Sequence, residues 1–197
     1  MSDERTIAVY DRKAADYRRM MTADPSGDAA LAEFVAAIPP GAKVLELGWG
    51  PGTWAGAMIA VGLEVDAIDA SSAMVQEASR IEGLRVWQAC IEDLDGENLY
   101  QGIWANFSLL HLPKSDMPNV LAALQRLLLP GGVMHFGLKE GQGEARDSLD
   151  RFYAYYTPQE LTALLATLDL TVSGLRRGVD TGLDGTRAGW FTLLAHG

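Results

Sequence analysis

The segment Val44-Leu45-Glu46-Leu47-Gly48-Trp49-Gly50-Pro51-Gly52 constrains this chain more than any other stretch. A short apolar run ending in three alternating glycines suits a buried parallel strand that passes directly into a turn without side-chain bulk. Such a turn lets the backbone approach a ligand where a Cβ would collide. Glu46, two residues before the first glycine, offers that ligand a carboxylate able to pair with an ammonium group.

The flanking sequence alternates between helical and strand periods. Apolar and aromatic residues at helical spacing (Ile7, Tyr10, Ala14, Tyr17, Met20 or Met21) predict a helix over 7–21, and a second runs from Asp28 to Ile38 before Pro39-Pro40-Gly41. After the glycine turn come a helix over 53–61, a strand over 64–69, a helix from Ser71 or Ser72 to about Arg80, and a strand over 84–89. Residues 92–100 suit only a weak crossover helix. Ile103–Phe107 reads as the fourth strand, Lys114–Leu128 as a helix and Val133–Leu138 as the fifth strand after Pro130-Gly131-Gly132. Thr157-Pro158-Gln159-Glu160 is a capping box opening a helix to about Thr167. Two closing strands, Leu170–Arg176 and Trp190–Ala195, are expected to pair antiparallel.

This order predicts an α/β fold: a Rossmann-like, doubly wound sheet of seven strands, mostly parallel with a C-terminal antiparallel pair, in three αβα layers. With 197 residues, one domain is expected. It divides into capping helices (1–40), a ligand-binding core (41–140) and an acceptor-side stretch with the last helix and strand pair (141–197). No repeat or low-complexity tract is present.

Composition narrows the function. A net charge of −10 disfavours a nucleic-acid backbone as partner and favours a small molecule. Arg176-Arg177 reads as a solvated strand end rather than an anion contact. Cys90 is the only cysteine, so no internal disulfide or multi-thiolate site is possible. With three histidines and no His-x-x-x-His pair, no metal is expected. No apolar run approaches the ~18 residues of a membrane helix, so no membrane association and a cytoplasmic location are expected, as a monomer or homodimer. A serine hydrolase would need a Gly-x-Ser-x-Gly turn, which is lacking.

Asp69 ends the second predicted strand, where an acid can accept hydrogen bonds from both hydroxyls of a ribose. That device serves several nucleoside cofactors. Gly50-Pro51-Gly52-Thr53-Trp54-Ala55 formally matches the nicotinamide-dinucleotide fingerprint. Pro51 inside the motif, and Glu46 where a pyrophosphate would lie, count against that reading.

Taken with Ala67-Ile68-Asp69-Ala70-Ser71, the segment Gly102 to Pro113 and Leu129-Pro130-Gly131-Gly132, the glycine motif resembles the class I S-adenosylmethionine-dependent methyltransferases over nearly the whole chain. The resemblance implies S-adenosylmethionine as cofactor. Gly48, Gly50 and Gly52 would cradle its methionine part, Glu46 its ammonium, directly or through water, and Asp69 its ribose. Ala70 and Met74 would flank the adenine, with Phe107 also on the donor side. The family's adenine-contacting Asp after the third strand is replaced by Cys90 and Ile91, with Glu92 or Asp93 as substitutes. Trp49 stands where the family has a small residue, and either covers the pocket or packs in the core. Tyr10 and Tyr17 share one face of the first helix, and either close over the donor or simply pack.

The implied reaction is in-line methyl transfer to an O, N or S atom of a small acceptor, which needs mainly alignment. His111, beyond the fourth strand, is the best base candidate by position; it can equally be a hydrogen-bonded structural histidine. The glycine-hinged stretch Lys139–Arg146 with Arg151-Phe152-Tyr153-Ala154-Tyr155-Tyr156 is either a lid and acceptor wall or a surface connection docked by its tyrosines. Base-modifying amino methyltransferases carry an Asn or Asp, two prolines and an aromatic after the fourth strand, where this chain has Asn106-Phe107-Ser108-Leu109. An NAD(P)-dependent oxidoreductase and a non-catalytic S-adenosylmethionine-binding protein are the alternatives.

Overall fold

A computed structural model describes residues 3–20, 25–48, 50 and 52–197; Met21, Trp49 and Pro51 of the sequence analysis lie outside them. The central sheet has seven strands in the order β3-β2-β1-β4-β5-β9-β8. These are β1 (Lys43–Leu47), β2 (Glu64–Asp69), β3 (Arg85–Gln88), β4 (Tyr100–Asn106), β5 (Leu128–Lys139), β8 (Thr171–Thr181) and β9 (Arg187–His196). Pairs from β3 through β5 are parallel, and β9 runs antiparallel to both β5 and β8.

Alternation along the strands assigns the two faces. Leu45 and Leu47 pack with α5 (Met117–Leu127) and α6 (Pro158–Ala166), whereas Val44, Val65 and Ala67 pack with α2 (Ala29–Ala36), α3 (Thr53–Ala60) and α4 (Ser72–Ala78). The first helix, α1 (Glu4–Met20), is tied to α4: Ser71 Oγ donates to Asp11 Oδ1 at 2.6 Å, and Arg18 pairs with Glu77 at 2.7 Å.

Several boundaries differ from those the sequence suggests. β5 starts at Leu128, because Leu128 pairs with Tyr100 and a bulge between Tyr100 and Gly102 takes up the slack. Pro130 is tolerated at that irregularity, where a ladder hydrogen bond is already lost. In place of a crossover helix, residues 91–93 form one 3₁₀ turn, since so short and acidic a segment cannot sustain a helix nucleus. A second sheet, unforeseen, pairs β6 (Glu144–Arg146) antiparallel with β7 (Phe152–Ala154). Its closure rests on Arg151, whose Nε donates to Asp147 at 2.8 Å, both side chains being buried. The capping box at Thr157 and Glu160 is formed.

Strand order reverses on either side of β1 and β4, and there the turn after β1 passes under the turn after β4. A Cβ on Gly48, which has φ +68°, would stand 2.5 Å from Ser108 Cβ. Gly48→Ala is therefore expected to lower stability by about 2 kcal/mol or more in urea unfolding, from left-handed strain and overpacking together. Gly56→Ala, in α3 with nothing within 4 Å, is the matched control and should gain up to ~1 kcal/mol.

Candidate functional site

The carboxyl ends of β1, β2 and β4 meet at this reversal, the usual place for a ligand crevice in an open α/β sheet. Gly48 N–H stays on the ladder, donating to Ile68 O at 2.9 Å, before the chain leaves the sheet. Asp69 then clasps the turn from β2. Its Oδ1 accepts from Ser71 N–H at 2.8 Å and its Oδ2 from Gly50 N–H at 3.4 Å. Burial pushes the Asp69 carboxyl up to about 6, against the pull of these two amides.

A cleft of about 800 Å³, counting its open mouth, lies over the turn. Gly48, Gly50 and Asp69 form one wall, and Ala70, Met74 and Ile91 with Ile68 and Ala89 form an apolar end. Tyr10 and Tyr17 close it from α1, packed edge to face at 5.6 Å. Phe107, Ser108 and His111 complete it from the β4 side. Phe107 holds φ +57°, a strained conformation for a bulky residue and one that clusters at functional sites. The Ser108 hydroxyl is buried without a hydrogen-bond partner.

Other expected residues lie off the cleft wall. Glu46 is buried, and alternation turns it toward α3, where it accepts the Ala55 N–H. Its Oε2 has no partner, and burial raises its pKa well above the usual carboxylate range. Gly52 precedes α3 in the left-handed conformation, below the wall. Cys90 and Glu92 do not line the cleft, because the 3₁₀ turn presents Ile91 instead. Trp49 is outside the described residues. Thr6, Asn106 and Ser108 are wall residues that sequence reasoning missed. Asn106 and Ser108 flank Phe107 at the end of β4, which was the available signal.

His111 belongs to a buried network. Its Nδ1 lies 2.6 Å from Phe152 O, a group that can only accept, so the proton is on Nδ1. Nε2 then accepts from the Tyr10 hydroxyl at 2.9 Å. Arg151 Nη1 donates to the same Tyr10 oxygen at 3.2 Å. Burial, helped by the nearby charges of Arg151 and Lys139, lowers His111 to about 4. The β6–β7 sheet is thus joined to α1, also through Phe152 N–H to Thr6 Oγ1 at 2.8 Å and Arg146 to Asp3 at 2.6 Å.

A second cavity shares Tyr10, Tyr17, Asn106, Phe107 and His111 with the cleft and extends toward the β8–β9 edge. Lys139, Arg151, Tyr153 and Trp190 lie on its wall. Arg176 and Arg177 also line it, each tied to a carboxylate, Glu33 and Glu140 respectively, instead of standing free in solvent. Among the described residues, no group of three or more His, Cys, Asp or Glu is placed to hold a metal ion, and no helix is long and apolar enough to cross a membrane.

Residues 44–132 match the family model described as "Methyltransferase domain". A carboxy-S-adenosyl-L-methionine synthase from Alteromonas mediterranea is 29% identical over 110 residues, 50% of this chain; the match spans 45% of that relative, less than half its length. Among solved structures, the 1,6-didemethyltoxoflavin-N1-methyltransferase of Burkholderia thailandensis, bound to 1,6-didemethyltoxoflavin and S-adenosylhomocysteine, superposes with a TM-score of 0.71 at 23% identity, over 96% of this chain and 87% of that one. DhpI in complex with S-adenosylhomocysteine gives 0.70 at 23% identity, over 96% and 95%. At such identities the likeness is one of fold.

The His111 geometry fixes an outcome for histidine NMR. The ring is expected to remain the neutral Nδ1–H tautomer from pH 8 to 5, and an imidazolium signal titrating near 6.5 would contradict it. The folded value lies below the unfolded one, so this site's stabilising contribution is intact above about pH 6.5 and lost as pH falls toward about 4.

Proposed function

We propose that this chain, whose residues 44–132 match a methyltransferase-domain model, is a class I S-adenosylmethionine-dependent methyltransferase that transfers the donor's methyl group to an O, N or S atom of a small-molecule acceptor, residues 1–197 acting as one domain. Asp69 carries the reading: a carboxylate on the cleft wall at the end of β2, clasping the glycine turn and open to a ribose. One further observation fits the donor: the buried Ser108 hydroxyl lacks a partner that a polar amino-acid tail would supply.

In this account Gly48, Gly50 and Ser108 hold the methionine part, Asp69 accepts from the ribose hydroxyls, and Ala70, Met74 and Ile91 pack the adenine. Gly52 shapes the turn, and Glu46 supports it from beneath by holding the start of α3, reaching the donor's ammonium only through an intervening water. Cys90 and Glu92 frame the adenine end from behind Ile91. Tyr10, Tyr17 and Phe107 exclude water around the sulfonium, which supplies an electrophilic methyl when bound. Catalysis is mainly positioning. His111 has its accepting nitrogen occupied and its basicity lowered, so it fixes the Tyr10 hydroxyl at the junction of the two cavities and relays a proton only by way of Tyr10. The second cavity, opening on that junction, is room for a small acceptor, and the overall charge disfavours nucleic acid.

Calorimetry tests the donor assignment. S-adenosylhomocysteine is expected to bind, and Asp69→Ala to weaken it at least about fivefold, roughly 1 kcal/mol for a hydrogen bond to a charged group. Affinity should also fall as pH drops below about 6, because protonation removes an acceptor from Asp69, and Asp69→Asn should flatten that dependence. Binding of NADH without any response to S-adenosylhomocysteine would overturn the reading in favour of an oxidoreductase. Tight donor binding with no methylation across a broad acceptor screen would instead favour a non-catalytic binding protein.

A further inference from the structure

The second cavity carries four cations, and their pairing decides which one faces a ligand. Arg176 is held by Glu33, Arg177 by Glu140 at 3.2 Å, and Arg151 by Asp147 at 2.7 Å. Lys139, at the end of β5, has no carboxylate within ion-pair distance among the described residues. Asp184 and Asp147 attract it only from farther away, while Arg151 repels it. Its Nζ lies 3.7 Å from the centroid of the Tyr153 ring. Burial and the neighbouring guanidinium lower its proton affinity, the condition that an incoming anion relieves.

The acids on the same wall are already engaged. Asp28 accepts from the Ala30 amide at 2.8 Å and from the Trp54 indole at 3.0 Å. Asp180 accepts from the Trp190 indole at 2.8 Å. Both keep their negative charge, but neither is among the charges that act on Lys139, and at that end of the cavity Lys139 with Arg151 would repel a cationic acceptor. Between the cation and the junction with the donor cleft the wall is aromatic. The Tyr153 ring also lies 4.7 Å from the His111 ring, and Trp190 stands edge-on to Phe107 at 6.3 Å. Tyr153 is thus in contact with both the Lys139 ammonium and His111, which lines the junction.

Resting on the methyltransferase reading, we propose that the acceptor is a small, single-ring aromatic acid whose carboxylate pairs with Lys139, whose ring packs on Tyr153 and Trp190, and whose nucleophilic atom reaches the Tyr10–Phe107 junction. Lys139 is then the specificity-determining residue. Amines and neutral aromatics of the same size are discriminated against, the first by repulsion and the second by leaving the half-buried ammonium without an ion-pair partner.

The test uses protein saturated with S-adenosylhomocysteine and two probes of equal shape, 4-hydroxybenzoate and 4-hydroxybenzamide, in calorimetry. The acid is expected to bind at least tenfold more tightly. Lys139→Met should bring the two within about twofold of each other while leaving S-adenosylhomocysteine affinity as it was, and Lys139→Arg should restore the preference. Equal affinities in the unmodified protein, no heat from either probe, or a preference that survives Lys139→Met would overturn the proposal, provided S-adenosylhomocysteine still binds. Failure of S-adenosylhomocysteine itself to bind would overturn the donor reading instead.

Discussion

The turn after β1 passes so close under the turn after β4 that only a residue without a side chain fits at Gly48. That contact brings the ends of β1, β2 and β4 to one point, and most of the candidate site follows from it. Asp69 can reach the Gly50 amide because the turn stays low against β2, and α3 starts where Glu46 can take the Ala55 N–H. A bulkier turn would push β4's Phe107-Ser108 segment away and separate the cleft from the cavity beside it.

Around that point the chain distributes its charge unevenly. Its net charge is −10, yet the second cavity is lined by two lysine and arginine side chains from the middle of the chain and two arginines from β8. Pairing with Glu33, Glu140 and Asp147 neutralises three of them. An acidic exterior around a cavity in which Lys139 has no ion-pair partner among the described residues is an arrangement suited to selecting a ligand by charge at close range rather than by long-range attraction.

Much of the sheet was legible because its strands obey simple periods. Val44-Leu45-Leu47 and Val65-Ala67-Ile68 read as buried strands, the capping box at Thr157 marks its helix by local chemistry, and Asp69 stands out by its place at a strand end. What escaped lies in long-range pairing. β6 and β7 are three residues each, too short for any period, and are fixed by Arg151 with Asp147 and by α1. The network joining Tyr10, His111 and Arg151 spans 141 positions, which no local pattern encodes. Glu46 was visible as an acid beside a glycine turn, but alternation within β1 sends it under α3, and Arg176-Arg177 looked solvated because their partners lie on other elements.

A crystal structure with S-adenosylhomocysteine bound is the most direct test of the central claim. The account predicts both ribose hydroxyls within hydrogen-bond distance of the Asp69 carboxylate, the amino-acid tail lying along Gly48 to Gly50 beside Ser108, and the sulfur facing the junction with the second cavity. A ligand bound elsewhere, or Asp69 turned away from the sugar, would contradict it.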